Sequence, residues 1–274
     1  MTEGALETVL RRDRAIVIAS ITILSACAWL YILYLGHTMS MGGMEMPGMR
    51  MDANPFGAAM IPAFQAWTTG EFILAFAMWS VMMIGMMTPS AAPMILLYAR
   101  VGRQAAARCR PIAASAWFFG GYLLAWVSLS LLATTAQWAL ERLALLTPTM
   151  AASSMPLGGF ILILAGIYQW TPLKDTCLSQ CQAPLAFLQR HGGFRNDAWG
   201  AVTIGFRHGL YCAGCCWALM AILFVGGVMN VLWIAAITIF VLVEKVVPAG
   251  GIISRTAGAA FIVGGVWLLA TALH

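Results

Sequence analysis

Apolar residues occupy this chain in long blocks separated by short polar stretches. Seven blocks, at about 15–35, 70–99, 113–136, 156–171, 199–226, 229–247 and 252–273, each approach the roughly 20 apolar residues a helix needs to cross a hydrocarbon core. The pattern predicts an all-α fold: a polytopic membrane helix bundle of about seven transmembrane helices. The first block follows "RRDR" and lacks a small-residue cleavage site, so it reads as a retained helix and not as a removed signal peptide. Pro89, Pro93 and Pro172 are expected to kink or end helices and to free backbone groups that must be satisfied inside the protein. Gly-Gly pairs at 120–121, 158–159, 226–227 and 264–265 lie in or at the ends of blocks, where small residues let helices approach closely. Three regions follow: residues 1–36, a stub with the first helix; 37–69, a Met-rich extracytoplasmic loop; and 70–274, a six-helix membrane domain.

Composition agrees with the blocks. Of 274 residues, 61% are hydrophobic and 9% charged, against about 25% charged in soluble domains. The net charge of +5 therefore implies no nucleic acid, and its distribution sets an orientation. With the N-terminus inside, twelve of the fifteen Lys and Arg face the cytoplasm, among them Lys174, Lys245 and Arg255; Arg50 and Arg142 face out and Arg207 lies within a block. An odd number of spans then puts the C-terminus outside. The membrane expected is the bacterial inner membrane.

Seven cysteines and eighteen methionines change the picture, because both side chains are soft, sulfur-bearing ligands. In "RHGLYCAGCC", His208, Cys212, Cys215 and Cys216 follow i, i+4, i+7, i+8 spacing and share one helix face. A buried thiol is commonly a small hydrophobe, but an imidazole and three thiols on one stripe inside a membrane block read as a metal site. In "MWSVMMIGMMTPSAAPM", Met82, Met83, Met86 and Met87 offer stacked thioethers, read either as core filler or as weak metal ligands. In "GHTMSMGGMEMPGMRM", His37 precedes Met39, Met41, Met44, Met46, Met49 and Met51, and exposed methionine has no packing reason to cluster. That stretch reads as an outer capture loop for copper(I), since thioether holds the ion on an oxidising face where thiols would be lost. Cys177 and Cys181, in a cytoplasmic loop, are one turn apart if helical, and either share a metal or are inert thiols. Lys245 reads as a snorkelling anchor, and Glu244 as a partner for Arg207.

Four motifs in order, "WSVMMIGMMTPSAAPM", "GIYQWTPLKDTCLSQC", "RHGLYCAGCCWALMAILFVGGVMN" and "LVEK", resemble a bacterial family of predicted metal-binding integral membrane proteins of unknown function. The resemblance spans roughly residues 70 to 273. It implies a polytopic inner-membrane protein with a metal site at Cys177, Cys181, His208, Cys212, Cys215 and Cys216.

Two classes of function are carried forward. The preferred one handles copper(I), or another soft ion, as a transporter or metallochaperone and not as an enzyme. Its partners are the lipid bilayer and a copper-dependent membrane enzyme or periplasmic copper protein. The second site, on this reading, is shared: the Met face of the second block meets the Cys face of the fifth, with Gly209 and Gly214 allowing close approach. Zinc fits less well, because no acidic or multi-His set accompanies the thiols. The alternative is a transmembrane thiol–disulfide redox protein using Cys212 and Cys215, or an assembly or anchoring subunit without metal.

Overall fold

The computed structural model describes residues 3–42, 67–107, 114–147 and 150–273. Within them the chain forms helices α1 (Glu3–Gly42), α2 (Thr69–Ala107), α3 (Ser115–Arg142), α4 (Met155–Tyr168), α5 (Pro172–Gln182), α6 (Pro184–Arg190), α7 (Ala198–Ala221), α8 (Leu223–Gly226), α9 (Val231–Val246) and α10 (Gly250–Ala272). The fold is all-α. Five helical segments are long and apolar enough to cross a membrane: Ala15–Thr38, Thr69–Ala105, Ser115–Arg142, Ala198–Gly226 and Gly250–Ala272. A sixth arises if α4 and α5, bent by 65° at a short break, count as one span. The block at 229–247 becomes α9, whose 16 residues reach only about 24 Å.

Local chemistry explains the helix starts. Ser154, Thr171, Asp197 and Asn230 each accept a backbone N–H from the first turn of α4, α5, α7 and α9, which satisfies donors that have no partner within the helix. Pro172 sits at the start of α5, where its missing N–H costs nothing. Pro89 and Pro93 do not end α2, which runs through both. Beside them, hydroxyls add hydrogen bonds to helix carbonyls: Thr88 Oγ1 donates to Ile84 O (2.6 Å), and Ser90 Oγ and Tyr122 OH both donate to Met87 O (2.8 and 2.9 Å).

Close packing is concentrated at α3 with α7 and at α4 with α10. Glycine makes both possible. A Cβ on Gly121 would overlap the Val202 carbonyl, and one on Gly205 the Phe118 carbonyl. Between α4 and α10, a Cβ on Gly166 would stand 2.6 Å from Gly258 O, and one on Gly265 2.6 Å from Gly159 O. The expectation that Gly209 and Gly214 bring α7 against α2 is corrected. Gly209 lies against Ala125 and Tyr122 of α3, and Gly214 against Cys177 of α5.

Residues 172–198, read from sequence as a cytoplasmic loop, are largely helical. They fold back as α5, which packs on α7 and α9, and α6, which packs on α5 and α2. Lys174 is consequently buried at 0% exposure, not facing the cytoplasm.

Candidate metal centre

Helix periodicity gives α7 a buried face and an exposed one. His208, Cys212, Cys215 and Cys216 are all buried, while Arg207, Leu210 and Trp217 on the opposite face are exposed. On α2, Met78, Met82, Met83, Met86 and Met87 are buried along an inward face. The two faces meet at one point: Cys216 Sγ and Met87 Sδ are 3.9 Å apart. Because α2 and α7 both pack on α3, it is the length of the methionine side chain, and not a close backbone crossing, that spans the gap. Tyr122 of α3 stands beside this point, with its hydroxyl on Met87 O and 3.2 Å from Cys212 Sγ.

Two further helices enter from the side that the sequence left as a loop and a helix end. Cys181 of α5 is half-buried and packs against the core cluster that includes Cys212, Cys215 and Cys216. Cys177 is buried, with its sulfur against Gly214. From α9, Lys245 points inward, which corrects its reading as a headgroup anchor. Its Nζ lies 2.8 Å from Cys212 Sγ, 3.3 Å from Ser90 Oγ and 3.9 Å from Met87 Sδ. The thiols are free; no disulfide occurs among the described residues. Cys215 and Cys216 Sγ each donate to Cys212 O at 3.0 Å.

The neighbouring charge is settled separately. Glu244 does not pair with Arg207, which is exposed on the far face of α7. Its carboxylate accepts from Lys174 Nζ at 2.8 and 3.0 Å and from Ser254 Oγ at 2.5 Å. Lys174 also donates to Gln169 Oε1, and Gln182 Nε2 donates to Glu244 O and Val247 O (2.8 and 3.2 Å). This polar knot ties α5 to α9 and α10 and so holds Cys181 in position.

His208 shares the inward face of α7. Its ring is boxed by Phe118, Tyr122 and Phe187 at centroid distances of 6.0, 6.0 and 5.0 Å. Its Nδ1 is buried without a hydrogen-bond partner among the described residues. Among those residues, His, Cys, Asp and Glu form no group of three or more that could hold a metal ion. An ion seated here in this conformation has at most two such ligands and takes any other from thioether. A set of thiols and thioether suits a soft ion better than zinc, for which thioether is a poor ligand.

Sequence spacing put the α7 residues on one buried face and Met87 on an inward face of α2. It did not bring Lys245 or Tyr122 to them, and Cys181 was joined to the α7 thiols only by the resemblance. A Lys at the end of an apolar run reads by default as a snorkelling anchor, so nothing in the sequence marked Lys245, and nothing marks Tyr122 among the other aromatics. Of the outer methionines, Met39 and Met41 belong to the end of α1, as does the exposed His37. Met44, Met46, Met49 and Met51 lie outside the described residues.

Residues 76–268 match the model of the PpoB2 family, described as a copper chaperone. No curated protein and no solved structure is found to match the chain.

Proposed function

We infer that this chain, which belongs to the PpoB2 copper chaperone family, is an integral membrane protein that holds copper(I) in its helix bundle for delivery. The cargo is bound by thiols from the Cys181, Cys212, Cys215 and Cys216 set together with the thioether of Met87. One observation carries this reading: thioether and thiol sulfurs from different helices meet at 3.9 Å in the buried interior, where soft ligands select a soft ion. Met82, Met83 and Met86 supply weaker thioether stations on the same face of α2, so the ion is passed along and not trapped. His37 and the methionines from Met39 to Met51 capture copper on the outer side. The orientation is N-terminus inside and C-terminus outside, in a bacterial inner membrane, and the recipient is a copper-dependent membrane enzyme or a periplasmic copper protein.

The test is copper content. The full-length chain, purified in detergent and loaded with copper(I), is expected to hold the ion, and Cys212→Ser, Cys216→Ser and Met87→Leu each to lower its retention against a chelator. A redox protein that uses only Cys212 and Cys215 would show no dependence on Met87. Wild-type protein that holds no copper, or variants that all hold as much as wild type, would refute the reading.

A further inference from the structure

The buried charges around the sulfur cluster do not balance in the same way. Lys174 is matched by the Glu244 carboxylate at 2.8 and 3.0 Å. Lys245, one residue along, is 6% exposed and faces sulfur and hydroxyl groups: Cys212, Met87 and Ser90. Among the described residues no carboxylate pairs with it. A buried cation without counter-charge is costly, and the anions available to it are the sulfurs of the cluster.

We propose that Lys245 is the specificity-determining residue of this site: a built-in positive charge that makes the bundle select a monovalent soft ion over a divalent one. The proposal rests on the copper-binding reading above and adds the basis of its selectivity. The charge count is simple. Among the described residues no three of the cysteine and histidine side chains converge to hold an ion, so an ion here is bound by two thiolates, with Met87 contributing a neutral thioether. Two thiol protons leave to solvent on binding. Two thiolates, one ammonium and one copper(I) then sum to zero. The same two thiolates and ammonium around a divalent ion leave one positive charge in an apolar interior. Without Lys245 the preference reverses: copper(I) bis-thiolate becomes a buried anion, and the divalent complex becomes neutral. Softness alone does not make this distinction, because mercury(II) is soft and also binds two thiolates linearly.

That pair of ions is the test. Copper(I), with bicinchoninate as competitor, and mercury(II), with a dithiol as competitor, differ in charge while sharing geometry and ligand preference. The measurements use the full chain in detergent, with Cys27→Ser and Cys109→Ser so that thiols not assigned to the site do not compete. Lys245→Met is expected to weaken copper(I) binding and to raise the mercury(II)-to-copper(I) preference on the order of a hundredfold, the scale of one unit charge acting across a few ångströms of protein interior. Lys245→Arg, which keeps the charge, should leave the preference close to wild type. Ser90→Asp places a carboxylate next to Lys245 and should shift the preference in the same direction as Lys245→Met, so the proposal stays decidable if the methionine variant does not fold. A preference unchanged in both Lys245→Met and Ser90→Asp, in proteins that still bind copper(I) through Cys212, overturns the proposal. Copper(I) binding that is absent in wild type, or indifferent to Cys212→Ser, overturns the site itself.

Discussion

Replacing Lys174 with Met should unlatch α5. The Lys174 ammonium and the Glu244 carboxylate are 2.8 Å apart at 0% and 1% side-chain exposure, so neither reaches water. Removing the cation leaves the carboxylate with Ser254 as its remaining side-chain donor. Stranding one partner of a buried pair costs about 3–5 kcal/mol, which for a chain of this size lowers the thermal midpoint on the order of 10 °C. The pair itself contributes far less net stability than that figure, because burying both charges was costly in the first place. Lys174→Met combined with Glu244→Leu should therefore recover most of the loss, keeping a residue of about 1 kcal/mol for the polar groups of Gln169 and Ser254 that lose partners. The assay is thermal unfolding of wild type, both single variants and the double variant in one detergent, read as a double-mutant cycle. A second readout is the alkylation rate of Cys181. It should rise in Lys174→Met, because α5 carries that thiol and the Lys174 knot holds α5 on α9 and α10. A Lys174→Met variant within about 1 kcal/mol of wild type, or a double variant no more stable than the single, would refute the latch.

Three other outcomes are expected. Met87→Leu conserves volume, so stability should stay within about 1.5 kcal/mol while copper(I) affinity falls; a stability loss without an affinity loss would return Met87 to core packing. Gly121→Leu should prevent assembly of α3 on α7, because its Cβ already overlaps the Val202 carbonyl, whereas Gly120→Ala meets nothing within 4 Å and should be neutral or slightly stabilising; thermal unfolding of the pair checks this, and equal behaviour would refute the packing argument. A reporter fused after His274 should be active only in its periplasmic format; activity confined to the cytoplasmic format would overturn the orientation and put the outer methionines on the wrong side.

The chain's own order determined a great deal. Block length and apolarity are local properties, so an all-α fold with membrane-length helices was readable from hydropathy alone. The 3.6-residue period placed His208, Cys212, Cys215 and Cys216 on one stripe, because helix geometry depends on nothing beyond the helix. One glycine of each of the pairs 120–121, 158–159 and 264–265 sits at a close helix approach, whereas 226–227 ends α8 with Gly227 at φ 89°; which helices would approach was not readable. What tertiary structure decided was every meeting between elements distant in sequence. Lys174 and Lys245 both sit at the edges of apolar runs and read alike as cytoplasmic or interfacial cations. Folding separates them: α5 turns back by 65° and gives Lys174 the Glu244 carboxylate, while α9 aims Lys245 at Cys212. The same fold-back turned an apparent loop into α5, which packs on α7 and brings Cys181 against the core cluster of the α7 thiols. Sequence distance carries no information on such pairings, since a buried charge is acceptable wherever packing supplies a counter-charge or hydrogen bonds, and only the assembled bundle says which groups those are.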